Sequence, residues 1–213
     1  MKKIVLLACI LIVIGCQKDD DNTLSEIEID ASEFQEIKEG EMNYFADLQQ
    51  EVSFLAMAIK TESNEFLFFQ KYGSCAAQQV EDCFDLDNLD PESGFSACKG
   101  FYGNNCYDFL VAVRDGQTEV INDIAEFRDL VGDIDKLGEA IFVLNSQSYH
   151  VGVGNIETGA YRKVNDGHEF IATKIISDCL PIIIHRYHLK VTHKGEIKIL
   201  GEEESYRSEN SCI

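Results

Sequence analysis

Residues 161–206 read YRKVNDGHEFIATKIISDCLPIIIHRYHLKVTHKGEIKILGEEESY, and the fold class follows from how this stretch is punctuated. Asn165-Asp166-Gly167 and His193-Lys194-Gly195 are turn sequences set between runs rich in Ile, Val, Thr and aromatic residues. Glycine supplies the positive φ that tight reversals need, and β-branched residues suit a pleated, half-buried surface. Strands are therefore expected at 161–164, 168–176, 182–192 and 196–206. Such short connections join antiparallel neighbours, so the stretch predicts a β-meander.

Working outward, 148–154 reads as one more strand, with Gly152 and Gly154 taken as strand glycines. Upstream lie two short helices, 124–131 and one capped by Asp135 that runs to about Leu144. Before them, 109–113 is a strand, Asp115-Gly116 a hairpin turn, and 119–121 the return. The class is α+β, an antiparallel meander with two short helices packed on one face. Residues 31–62 read as an N-terminal helix: Ser32 and Gln35 resemble a capping box, and Ile37, Tyr44, Leu48, Val52, Leu55 and Ile59 share a face. The run Phe66-Leu67-Phe68-Phe69 is either a buried strand or a second helix, because its periodicity fits both. Residues 73–106 read as cysteine-bearing loops. Residues 31–213 thus form one domain, with a helical, cysteine-rich part (31–106) and a meander part (107–213).

The chain has 213 residues and is 45% hydrophobic, enough for a sizeable core and too much for a disordered or fibrous chain. Its 38 Asp and Glu against 18 Lys and Arg give a net charge of −20. Phosphate neutralisation requires clustered bases, so this balance argues against nucleic acid, and it disfavours electrostatic attraction to anionic lipid. Between Asp19 and Glu51 there are twelve acids and one base, Lys38. From His150 to the C-terminus the signs nearly balance, so the negative charge is concentrated toward the N-terminus.

Residues 1–16 begin Met-Lys-Lys, continue as an apolar run from Ile4 to Ile14, and end in Gly15-Cys16. A short apolar run behind two lysines is a secretory signal, too short for the roughly 20 apolar residues of a spanning helix. Gly15-Cys16 after Val13-Ile14 resembles the lipobox of bacterial lipoproteins. The resemblance implies a signal peptide of residues 1–15, a diacylglycerol thioether on Cys16, and acylation of the new amino terminus by palmitate-like chains. The plainer alternative is an ordinary signal peptide with an incidental cysteine. Each buried methylene contributes about 0.8 kcal/mol, so two or three chains would anchor the protein to a membrane without spanning it. Gln17-Lys18-Asp19-Asp20-Asp21 resembles the Lys-plus-acidic export tag of flavobacterial-type surface lipoproteins. That likeness implies display at the cell surface, outside the outer membrane. Against it stands a solvated spacer on a periplasm-facing lipoprotein. Residues 16–30 carry no apolar periodicity and read as a flexible acidic tether.

Cys9 departs with the signal and Cys16 takes lipid, leaving Cys75, Cys83, Cys98, Cys106, Cys179 and Cys212. Six cysteines in an exported chain read as three disulfides, with 15 connectivities open. The matched spacings of 75–83 and 98–106 favour two local bridges, with Cys179–Cys212 pinning the C-terminus. Zinc sites use cysteine pairs two to four residues apart, and no such pair occurs.

His185, His188 and His193 are crowded in sequence. On a strand His185 and His193 would share a face and His188 would point to the other, so they do not converge on one metal ion. Asp85, Asp87, Asp90 and Glu92 crowd one loop as weak candidate Ca2+ ligands, but their order fails the EF-hand pattern and a solvated acidic loop is the preferred reading. No other cofactor is indicated. There is neither a Gly-x-Ser-x-Gly elbow nor a phosphate-binding glycine loop, and no pair of carboxylates stands out for catalysis. The C-terminal half is similar to uncharacterised extracytoplasmic lipoprotein domains, a likeness that carries no activity across. The expected function is that of a non-catalytic binding or interaction module for an unknown extracellular protein, glycan or small ligand. The alternative is an extracytoplasmic hydrolase whose acidic pair forms only in the fold.

Overall fold

The computed structural model describes residues 29–45, 48, 52–60, 66–73, 83–84, 94–97 and 107–212. Ten strands and two helices are defined among them: β1 (Gln35–Glu36), β2 (Phe54–Lys60), β3 (Phe66–Gly73), β4 (Ser96–Ala97), β5 (Tyr107–Arg114), β6 (Gln117–Ile121), α1 (Ile124–Val131), α2 (Leu137–Ser146), β7 (Ala160–Val164), β8 (Gly167–Asp178), β9 (Ile182–Thr192) and β10 (Ile197–Ser208). They form two antiparallel sheets. One has the order β1-β7-β8-β9-β10; the other is β3-β2-β5, with β4 and β6 both pairing β5.

The meander read from residues 161–206 is present as β7 to β10. Gly167 closes its first turn at φ +140°, and a Cβ there would fall 1.9 Å from the Val191 carbonyl oxygen, so only glycine fits. The Asp115-Gly116 hairpin turn has φ +52° and +75°, the doubly positive pattern of a type I′ turn. Helix α1 has the expected bounds. Asp123 caps it by accepting from the Glu126 N–H at 2.9 Å, and Gly132 ends it at φ +82°.

Three expectations need correction. Among the described residues the segment 31–62 is not helical: 35–36 pair with β7, and 54–60 form β2 at the centre of the second sheet. Phe54-Leu55-Ala56-Met57-Ala58-Ile59 is apolar on both faces, the pattern of a strand covered on both sides, and its i, i+4 matches are incidental. Phe54, Ala56 and Ala58 pack with Phe84 and Phe109 on one face, while Leu55 enters the main core on the other. The run 66–69 resolves as strand β3. Residues 148–154 make a single bridge, His150 with Thr173, and then turn: Gly152 and Gly159 meet backbone to backbone, where a Cβ on Gly159 would lie 1.8 Å from the Gly152 carbonyl oxygen. Finally, Lys136 rather than Asp135 occupies the N-cap of α2.

The main core joins both sheets through the helices. Phe170, Ala172, Tyr187, Leu189 and Val191 of the meander meet Phe127, Leu130 and almost all of α2, which also touch Leu55, Leu110 and Ala112 of the second sheet. Helix α2 is buried nearly all round, as its apolar run AIFVL requires. The N-terminal segment crosses the outer face of the meander, where Ile29 and Phe34 pack on Ala160 and Ile171. It then passes β7 and enters the core through Ile37, Tyr44 and Phe45. The disulfide Cys179–Cys212 ties the end of β8 to the segment after β10. Cys83 is also disulfide-bonded. Cys16, Cys75, Cys98 and Cys106 lie outside the described residues, as do Asp85, Asp87, Asp90 and Glu92.

Candidate functional site

Alternation along a strand sends Phe170, Ala172 and Lys174 of β8, and His185, Tyr187, Leu189 and Val191 of β9, to the inner face of the meander. On β10 the inner row begins with Ile197 and Ile199, opposite Val191 and Leu189. A one-residue bulge at Leu200 then shifts the register, so Glu202 rather than Gly201 sits opposite Tyr187. The inner face is therefore apolar toward the β9–β10 turn and polar toward the far end.

Where the two regions meet, a cavity of about 380 Å3 opens between β10, the start of α1 and the end of α2. Ile124, Val143, Ile197 and Ile199 supply aliphatic walls, and Gly195 of the β9–β10 turn leaves space beside Ile124. Gln147, Tyr149 and Lys174 supply the polar rim. The Lys174 ammonium donates to the Gln147 carbonyl oxygen at 3.0 Å and lies 4.5 Å from the centroid of the Tyr149 ring.

Behind Tyr149 the polar groups continue. The Tyr149 and Tyr187 rings meet edge to face at 5.2 Å, and the Tyr187 hydroxyl donates to Glu202 Oε1 at 2.8 Å. His185 Nδ1 bonds the same oxygen. Burial pushes both phenols up; for Tyr187 the hydrogen bond to Glu202 adds to the effect, and for Tyr149 the negative charge of Glu202 does. Both tyrosines stay neutral donors at any physiological pH.

His188 points to the outer face, as the alternation expects, and joins a different network. Its Nε2 bonds Glu169 Oε2 at 2.9 Å, and Arg162 donates to the same oxygen at 2.8 Å while stacking on Phe34. Burial would raise the Glu169 carboxyl, but the bonds from His188 and Arg162 outweigh it and hold it below the usual range. Arg162 also pairs with Glu33, and Arg186 with Glu157 and Glu203. These pairs hold the N-terminal segment and the 151–159 turns against the sheet. His193 sits in the β9–β10 turn, bonded to the Ile134 carbonyl oxygen at 3.2 Å.

The three histidines are thus dispersed, and among the described residues no group of three or more His, Cys, Asp or Glu is placed to hold a metal ion. Among these residues, too, no helix is long and apolar enough to cross a membrane. Sequence reasoning missed Gln147, Tyr149, Lys174 and Glu202. One signal was legible: Lys174 follows Phe170 and Ala172 at alternate positions, a charge on an otherwise core-facing row. Compared with family models, curated proteins and solved structures, the chain matches none.

Proposed function

We propose that the protein is a lipid-anchored, surface-displayed lipoprotein that acts as a non-catalytic binding module, with its ligand seated in the cavity between β10, α1 and α2. The address rests on Lys2-Lys3, the apolar run 4–14 and Gly15-Cys16. The binding role rests on one observation: the cavity is walled by aliphatic side chains, and no carboxylate, histidine, hydroxyl nucleophile or thiol is among the described residues that line it, Tyr149 being a neutral phenol. A concave apolar site with a few placed polar groups is the usual form of a small-molecule site.

The experiment is an intact-mass measurement on the membrane fraction, with and without reduction, before and after protease applied to whole cells. A mass beginning at acylated Cys16, a gain of about six hydrogens on reduction (two per disulfide) and loss to external protease support anchor, bridges and display together. An unlipidated mass, or survival of the chain on protease-treated cells, contradicts the address.

A second reading, an extracytoplasmic hydrolase, draws on Glu202 and its bond to His185, an arrangement that could orient a general base. The pair lies beyond Tyr149 rather than among the residues lining the cavity. Turnover of a cell-wall or glycan substrate that is abolished by His185→Ala would favour this reading over the binding module.

A further inference from the structure

Lys174 brings the one formal charge to the described lining of the cavity. In so acidic a chain most half-buried bases are already neutralised: Arg114, Lys136, Arg162, Arg186 and Lys190 each reach a carboxylate. Lys174 reaches none among the described residues, and its neighbours there are a carbonyl oxygen and a ring face. An ammonium carries three N–H donors. With one on Gln147 and the Tyr149 ring beside it, donor capacity remains for a ligand at the rim.

We propose that the cavity takes an apolar monocarboxylate, its hydrocarbon body against Ile124, Val143, Ile197 and Ile199 and its carboxylate at Lys174 Nζ. The proposal rests on the cavity being the binding site. The volume falls within the range of about 300–1,000 Å3 typical of small-molecule sites. A cationic ligand would meet a like charge, and a neutral one would cover the ammonium without pairing it, which costs desolvation. Phosphate esters favour an arginine fork or a cluster of backbone N–H groups, whereas a single lysine with an apolar wall suits one carboxylate on a hydrocarbon body.

The test uses the full-length chain carrying Cys16→Ser, which blocks lipidation, titrated calorimetrically with octanoate, octanol and octyltrimethylammonium below their aggregation limits. Octanoate is expected to bind one to one, about tenfold more tightly than octanol, with octyltrimethylammonium weakest. Lys174→Met should abolish the advantage of octanoate over octanol, and octanol, which no longer covers an unpaired ammonium, should bind at least as tightly as before. Raised salt should weaken octanoate alone. Equal binding of octanoate and octanol, or an unchanged octanoate affinity in Lys174→Met, overturns the carboxylate assignment and leaves the cavity as a binding site. Failure of all three probes to bind overturns the cavity as the site, and with it the binding role proposed above.

Discussion

The Tyr149 ring holds the Lys174 ammonium 4.5 Å from its centroid, at the rim where the apolar and polar halves of the inner sheet face meet. The ring, rather than the hydroxyl, does the positioning. Tyr149→Phe should therefore leave stability within about 0.5 kcal/mol and octanoate affinity unchanged. Tyr149→Leu should cost about 1–3 kcal/mol of stability, because the side chain is buried against Tyr187, and should lower octanoate affinity severalfold. Denaturant melts and calorimetry on the two variants check both.

Gly138 and Asn43 fix how the N-terminal segment enters the core. A Cβ on Gly138 would stand 1.8 Å from the Asn43 carbonyl oxygen, a backbone clash that no rotamer relieves. Helix propensity favours alanine over glycine by about 1 kcal/mol, so in an isolated helix Gly138→Ala would stabilise. In this fold it should destabilise by about 1–3 kcal/mol as residues 43–45 are pushed off α2. Urea midpoints would show the sign.

Two buried titratable groups give stability opposing pH slopes. Glu139 is fully buried, and desolvation pushes its pKa up to about 7 despite hydrogen bonds from the N–H groups of Lys136 and Asp135. The folded chain thus keeps a proton that the unfolded chain releases near 4.5, so this contribution is full below pH 4.5 and lost as pH rises through 7. His168 is the reverse: burial, with Lys163 and His193 nearby, lowers it to about 4, so its contribution is present above 6.5 and lost as pH falls through 4. Between 4.5 and 6.5 the slopes oppose each other. Glu139→Gln preserves the capping geometry and removes one of them, so the variant should gain up to about 3 kcal/mol on the parent between pH 4.5 and 7. A constant difference across that range contradicts the assignment.

The disulfide Cys179–Cys212 joins residues 33 positions apart and ties the end of β8 to the chain beyond β10. Replacing both cysteines with serine should cost about 3–4 kcal/mol if chain entropy dominates. Hydrogen exchange should rise at the β8–β9 connection and the C-terminal end of β10, and far less at α2.

The meander and α1 were legible because their signals are local: Asn165-Asp166-Gly167 and Asp115-Gly116 make turns, and Asp123 and Gly132 bracket a helix. The segment 54–59 was misread because a strand apolar on both faces has no period of its own, and what covers it comes from distant residues such as Phe84 and Phe109. Residues 148–154 alternate like a strand, yet Gly152 and Gly159 allow a close backbone crossing that folds the segment back instead. The site was the least legible part. Lys174, Gln147 and Ile199 belong to three separate elements or their ends, and the bulge that turns Glu202 inward depends on a register that composition does not encode.

The most direct test of the binding site is a 1H–15N spectrum of the isotope-labelled, Cys16→Ser full-length chain, followed as octanoate is added. The account predicts shifts concentrated at the amides of Gln147, Tyr149, Lys174, Gly195, Ile197 and Ile199, and reduced in Lys174→Met at the same octanoate concentration. Shifts centred on Phe34, Arg162 and His188 of the outer face, or no saturable shifts at all, would contradict it.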